Sequence, residues 1–340
     1  QVVVQNNSVS ARVASLRFGL PNRRLAINMA ILEHQLAHPK LTEAQEDQLD
    51  RAGLSSDLLD LWSKYEAQAL QHSSAAVTVG TANLRLTHAE RWEAAHMVHS
   101  ALHHTGLAEK GVGWTEVLSV LDTCDAAWLA RGASGRLGGQ SLPVACLAVV
   151  SIMAKSATHE GVQCTRFLTR PMEQGVHDQA TVFLNLLQWR IHIPSLTTWV
   201  STLSRRVAVL STDLFEARIH LAENSALNFA LGMIVFSAAS PRDPPRELAC
   251  GLVALCLAQT GAFDSLDLRP EDVWEEEWEH LHFNALSSPA PPASDPNFQV
   301  DVLLLAFGCE LEQLQQACMR TLGLLRAAGF GGAPRVVVSI

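Results

Sequence analysis

The stretch Gln179-Ala180-Thr181-Val182-Phe183-Leu184-Asn185-Leu186-Leu187-Gln188-Trp189-Arg190-Ile191-His192-Ile193-Pro194-Ser195 reads as a helix of buried type that closes on Trp189. The chain then turns through Pro194, which cannot continue a helix, and restarts at Leu196-Thr197-Thr198-Trp199-Val200. Working outward from this turn, both sides are helical.

Upstream, Thr87 caps a helix running to Leu102, Trp114 to Ala130 forms a second, and Leu142 to Ser156 a third, entered through Pro143 in its first turn. A shorter helix over Cys164 to Thr169 precedes Pro171, and His177 to Trp189 closes the set. The third helix is apolar all round, with Val144, Leu147, Val149, Val150, Ile152 and Met153, which predicts a place in the middle of its domain. Downstream come Leu196 to Leu210, Asp213 to Phe236, Arg246 to Thr260 and Val300 to Ala328. Arg246 to Thr260 again has the composition of a central helix and again follows prolines, Pro244 and Pro245. Two helix sets of similar order suggest an internal structural repeat.

Before these sets, the first 20 residues read as an extended arm, and Leu25 to His38 as a helix ended by Pro39. Thr42-Glu43-Ala44-Gln45-Glu46 opens another helix with a cap-like threonine and early acids, and Leu58, Leu59, Leu61, Trp62 and Tyr65 form an apolar stripe at helical spacing. Late in the chain, Trp274-Glu275-Glu276-Glu277-Trp278-Glu279-His280 reads as an acidic aromatic helix. The proline-rich run Ser287 to Pro296 follows it as a surface loop.

The 340 residues suffice for two domains of ordinary size, and 48% hydrophobic with 17% charged residues is the composition of a soluble globular protein. No uninterrupted apolar run reaches the length of a membrane span. A net charge of -9, with Arg205-Arg206 as the only compact basic pair, argues against nucleic acid as a partner. The seven cysteines include no CxxC pair and lie mostly in apolar helical patterns, so they read as reduced buried thiols. With no secretory pattern in the opening QVVVQNNSVS, a nuclear or cytoplasmic location is expected.

No nucleophile elbow, phosphate loop or His-Glu-x-x-His occurs, so no catalytic residue is assigned and the chain is not expected to be an enzyme. Gly132, Gly135, Gly138 and Gly139 have no preceding strand and read as a flexible turn rather than a dinucleotide site. His96, His99 and His103 share one helical face at spacings of three and four, either as metal ligands or as a solvated polar face. With no carboxylate or cysteine motif to complete such a site, the polar face is the expectation, with no metal and no cofactor.

Five segments in order resemble the cyclin family. Val120-Leu121-Asp122-Thr123-Cys124-Asp125-Ala126-Ala127-Trp128-Leu129 resembles its Leu-Asp-bearing helix, and Leu142 to Lys155 its small, apolar central helix ending in a lysine. Gln179 to Pro194 resembles the closing helix and passage to the second box. Phe236 to Pro241 leading to Glu247 to Ala254 resembles the second box's central helix, and Phe307-Gly308-Cys309 to Cys318 the family's late helix pair. The resemblance covers about residues 85 to 328. It implies an all-α fold of two tandem five-helix cyclin boxes, residues 85–195 and 196–330, after an N-terminal arm and helices over 1–84 and with an insertion at about 271–298.

The implied function is to bind and activate a cyclin-dependent serine/threonine kinase without supplying a catalytic group. The resemblance places Lys155 at the kinase interface, with Asp178 and Thr158 as its neighbours. The glutamate that works with the lysine in the family falls on Ala180 here. Arg91, Trp92 and Met97 fall on the first-helix docking patch, where Glu90 and Glu93 put charges in place of apolar residues. Trp274 and Trp278, four apart, are candidate anchors for a further protein partner. The alternative is a degenerate cyclin fold serving as an adaptor or structural subunit of a larger complex, without kinase activation. A transcription-factor-type relative that binds nucleic acid is disfavoured by the net charge.

Overall fold

Two threonines open helices by the same device. The Thr42 hydroxyl accepts from the Gln45 backbone N–H while the Gln45 side chain accepts from the Thr42 N–H, and Thr87 and Glu90 repeat the arrangement. These reciprocal boxes satisfy N-terminal donors that have no partner inside the helix. They begin α1 (Glu43–Arg51) and α3 (His88–His104); between them lies α2 (Ser56–Thr78).

In the computed structural model the described residues are 40–78, 86–131, 137–157, 170–211, 216–235, 243–259 and 300–327. Among them the fold is all-α, with no strand. The elements after α3 are α4 (Trp114–Ala130), α5 (Leu142–Ala157), α6 (Arg170–Leu186), α7 (Leu196–Leu210), α8 (Glu216–Val235), α9 (Pro245–Gln259), α10 (Val300–Phe307) and α11 (Leu311–Ala327). The expected helices at Leu25–His38, Cys164–Thr169 and Trp274–His280, the Ser287–Pro296 loop, and the site candidates Thr158, Trp274 and Trp278 lie outside the described residues.

Three boundaries differ from the sequence expectation. The helix expected from His177 begins at Arg170, because Pro171 sits in its first turn, where a missing N–H costs nothing. It ends at Leu186 rather than Trp189: Gln188 and Trp189 adopt left-handed φ of 52° and 65°, and the Trp189 N–H bonds back to the Leu184 carbonyl. The single helix expected over Val300–Ala328 is two, broken where Gly308 takes φ 59°.

Packing repeats along the chain. In the first set α5 contacts α3, α4 and α6, and α4 also contacts α3 and α6. In the second, α9 contacts α7, α8 and α11, and α8 also contacts α7 and α11. Each of these contacts in one set thus has its counterpart in the other, with α5 and α9 in the middle, and the second set adds α10 against α7. Both middle helices are apolar on every side: Ala145, Cys146, Ala148 and Val149 are inaccessible in α5, as are Ala249, Leu252, Val253 and Leu257 in α9. A helix without a polar face is stable only when surrounded.

The N-terminal helices are fastened to both sets. α2 lies along α4 and α1 against α7. Arg206 of α7, 1% exposed, donates through Nε to the Ala306 carbonyl at 2.7 Å and through Nη1 to the Leu54 carbonyl in the α1–α2 turn. Half of the basic pair seen in the sequence is therefore an internal strut, not part of a surface footprint. A hydroxyl cluster locks the start of α7 to the start of α4. The Ser195 Oγ caps α7 by accepting from the Thr198 N–H at 3.1 Å and donates to Glu116 Oε1 at 3.2 Å, and Thr115 and Thr197 meet at 2.7 Å.

Candidate functional site

The exposed end of the first middle helix carries Lys155. It lies in the last turn of α5, where a cation suits the helix dipole, and makes no hydrogen bond or ion pair among the described residues. Next to α5, helix α6 shows solvent a polar stripe of Gln174, Asp178, Thr181 and Asn185. Asp178 is exposed, and its Oδ1 accepts from Gln174 Nε2 at 2.7 Å. Ala180 is 4% exposed and belongs to the inward face with Val176, Phe183 and Leu187. A carboxylate at position 180 would therefore enter the core, and the acids α6 offers outward are Asp178 and Glu173. This arrangement presents Lys155 on one helix and the carboxylates of Asp178 and Glu173 on its packed neighbour; among the described residues no ion pair joins the lysine to either.

The first-helix residues separate. Arg91 is an internal group: its guanidinium grips Asp122 of α4 through Nη1–Oδ1 at 2.8 Å and Nη2–Oδ2 at 2.6 Å, and Nε donates to the Ile234 carbonyl at 2.6 Å. Burial alone would lower its pKa, but the Asp122 carboxylate outweighs that and holds it above the usual value. Met97 is half-buried against the core. Only Trp92, 50% exposed, presents a large apolar surface on this helix. Trp189, at the end of the stretch that set the register, is 70% exposed on its left-handed turn.

A cavity of about 100 Å³ opens where α2, α3, α4, α7, α8 and α9 meet, lined by Glu66, Arg91, Asp122, Pro194, Asp243 and Leu248. Glu66, 6% exposed on α2, is the member that the sequence reading missed. Its carboxylate accepts from the Arg246 backbone N–H at 3.2 Å, capping the first turn of α9 from another helix. Arg246 in turn donates to the Ser63 Oγ and the Phe307 carbonyl, each at 2.8 Å, and lies 5.7 Å over the Trp199 ring. Trp199 meets Trp62 edge to face at 5.4 Å. The only sequence signal for this assembly was Trp62 in the α2 stripe and Trp199 after Pro194. A glutamate on a helix otherwise reads as solvated.

Burial pushes Glu66 up from its ordinary 4.5 to about 7, against the Arg246 N–H, the nearby Trp199 indole and the Arg246 charge, all of which lower it. The indole N–H is close enough to act on the carboxylate but falls short of hydrogen-bond geometry. A carboxyl whose pKa is higher in the folded state binds more protons there, so its contribution is present below about 4.5 and is lost as pH rises through about 7. At about 1.4 kcal/mol per pH unit this is worth about 3 kcal/mol. Glu66→Gln keeps the acceptor without the charge. Urea unfolding from pH 5 to pH 8 is expected to give a flatter stability profile for this variant, with a gain over the parent at pH 8. An unchanged slope would refute the assignment.

Elsewhere, His99 and His103 meet with Nε2 atoms 3.2 Å apart, and burial and the neighbouring imidazoles of His103 and His96 lower the His99 pKa. Among the described residues no group of three or more His, Cys, Asp or Glu is arranged to hold a metal ion. The six described cysteines are free thiols. No described helix is long and apolar enough to cross a membrane. No protein-family model matches the chain, and no curated protein matches it.

Proposed function

We propose that the chain is a cyclin-like regulatory subunit of two helical boxes that binds a cyclin-dependent serine/threonine kinase and activates it. The observation that carries this reading is the doubled helix set, α3 to α6 and α7 to α11, each wrapped around an apolar middle helix, with Lys155 exposed at the end of the first. The order of the five family-like segments matches the order of those helices. In this reading the Lys155 ammonium and the outward carboxylate of Asp178 meet the kinase segment that must move inward to complete its active site. The exposed faces of α5 and α6 surround them. The protein then acts by favouring one of two states of its partner.

Two features favour the adaptor alternative: the position where the family resemblance calls for a glutamate is the inward-facing Ala180, and Trp92 and Trp189 are exposed where another protein could seat them.

Co-purification with a panel of cyclin-dependent kinases, followed by a peptide kinase assay, tests both. Reversing a charge at a buried interface costs about 2 kcal/mol or more, so Lys155→Glu is expected to reduce activation at least about 30-fold while leaving the fold intact by circular dichroism. A kinase that binds without being activated, whatever residue stands at 155, would support the adaptor. Binding of no kinase would overturn the kinase-activating reading and leave the adaptor alternative standing.

A further inference from the structure

The last turns of α3 carry His96, His99 and His103, a face whose spacing alone fits either metal ligands or solvated polar groups. For two of the three rings the structure goes further. The Nε2 atoms of His99 and His103 stand 3.2 Å apart, while the ring centroids are 4.4 Å apart and the planes inclined at 57°. The nitrogens are thus nearer to each other than the rings that carry them, and their binding directions converge. Both rings reach solvent, His103 exposed and His99 half-buried.

That separation is close to the bite of a chelate. A tetrahedral Zn²⁺ takes imidazole nitrogens at about 2.0 to 2.1 Å, which places two of them about 3.3 to 3.4 Å from each other. The observed 3.2 Å is short of this by little more than a tenth of an ångström. Residues four apart lie one above the other on a helix, so the backbone of α3 already holds the pair in register, and no loop has to be ordered on binding. The competing use of this contact is a hydrogen bond between two neutral rings. Water replaces such a bond easily at an exposed position, whereas it is a weaker ligand than imidazole for a borderline-soft cation. When both Nε2 lone pairs go to the ion, each neutral ring carries its proton on Nδ1.

We propose that His99 and His103 form a bidentate site for a divalent transition cation, with Zn²⁺ as the ligand and water in the remaining coordination positions. Two protein ligands are fewer than a closed structural site uses, so the ion exchanges with solution. Bound, it clamps the last two turns of α3 just before the helix stops at Thr105, whose hydroxyl donates back to the Ala101 carbonyl at 2.7 Å. Leu102, between the two ligands, is 2% exposed, so the clamp acts on a turn that is already anchored in the core.

The test uses the full chain, folded, reduced and freed of metal, with zinc chloride as the probe. Isothermal titration is expected to show a site that His99→Gln and His103→Gln each weaken at least about tenfold: losing an outer-shell partner of a metal site already costs about 10- to 100-fold in affinity, and a ligand contributes no less. His104→Gln, one residue off the face, should leave the affinity unchanged. In the unsubstituted protein, zinc is expected to protect His99 and His103, and not His104, from acylation by diethylpyrocarbonate, read by mass spectrometry. It is also expected to raise the urea midpoint of that protein more than that of either single variant, because the ion binds the folded helix preferentially. Unchanged acylation of the pair with zinc present would overturn the proposal, as would a His103→Gln variant that binds zinc as tightly as the parent; the contact is then a hydrogen bond between neutral rings.

Discussion

Gly251→Ala is expected to destabilise the protein by about 3 kcal/mol in urea unfolding, although alanine is the better helix former. Gly251 lies in the middle of α9, where a glycine sacrifices about 1 kcal/mol of helix propensity. Its hydrogen lets α11 come close. A Cβ built at this position would stand 2.6 Å from the Ala317 carbonyl oxygen and 2.3 Å from the Thr321 Oγ1. The first obstacle is helix backbone and cannot swing away. The second belongs to a side chain with no exposed surface, whose hydroxyl reaches the Leu248 carbonyl at 3.5 Å. Accommodating the methyl therefore means separating two helices across their most extensive mutual contact, which uncovers Leu248, Leu252, Leu314 and Cys318. Dispersion falls off steeply with such a gap, and this loss exceeds the propensity gain.

The matched control is Gly323→Ala on α11, where nothing stands within 4 Å of the added methyl. There only the propensity and unfolded-chain effects remain, and a gain of about 0.5 to 1 kcal/mol is expected. Opposite signs for the same chemical change would place the effect in helix approach and not in glycine as such. Equal signs would refute it.

These two glycines also mark what the amino-acid order could convey about the fold. Helix existence was readable wherever apolar residues recur at helical spacing or fill a whole helix, as in α4, α5, α7 and α9, because periodicity is a local property. Thr42 and Thr87 announced the starts of their helices for the same reason. Boundaries set by backbone sign were not readable: Gln188 and Trp189 are ordinary residues in left-handed conformations, so the helix end moved back to Leu186.

Groups defined by a distant partner were hidden in the same way. Glu66 looks solvated until α9 presents an N–H to it across 180 positions, and Arg206 looks like half of a basic patch until it meets Leu54 and Ala306. For the candidate site, the sequence located Lys155 and Asp178. It could not tell that Ala180 faces inward, since one residue either way on a helix changes the face by about 100°. The similar order of the two helix sets suggested a repeat that identity between the halves was too weak to display. The matching helix contacts express that repeat in packing, which tolerates wide change in sequence as long as volume and patterning persist.

Asp122→Ala is expected to cost about 3 to 5 kcal/mol, the largest single effect of removing one charge among the described ion pairs. The Arg91 side chain is 13% exposed and that of Asp122 23%, and the two share both of their planar hydrogen bonds. Removing the carboxylate costs the guanidinium two charge-assisted bonds at the edge of the Glu66 cavity and leaves the Ile234 carbonyl as its remaining protein partner. The damage spreads because Arg91 joins three elements, α3 by its backbone, α4 through Asp122 and α8 through Ile234. Arg320 provides the contrast. It meets Asp243 at 2.7 Å and Glu247 at 3.2 Å, yet its side chain is 42% exposed, so Asp243→Ala is expected to cost under about 1 kcal/mol. If buried charge and not shape is what fails in Asp122→Ala, the double variant Arg91→Met with Asp122→Leu should recover most of the loss, because it removes the cation along with its partner and refills the space with apolar volume. Urea unfolding of the two single variants and the double closes the cycle. A double variant no more stable than Asp122→Ala would show that the pair holds α3, α4 and α8 by geometry that no apolar substitute can supply.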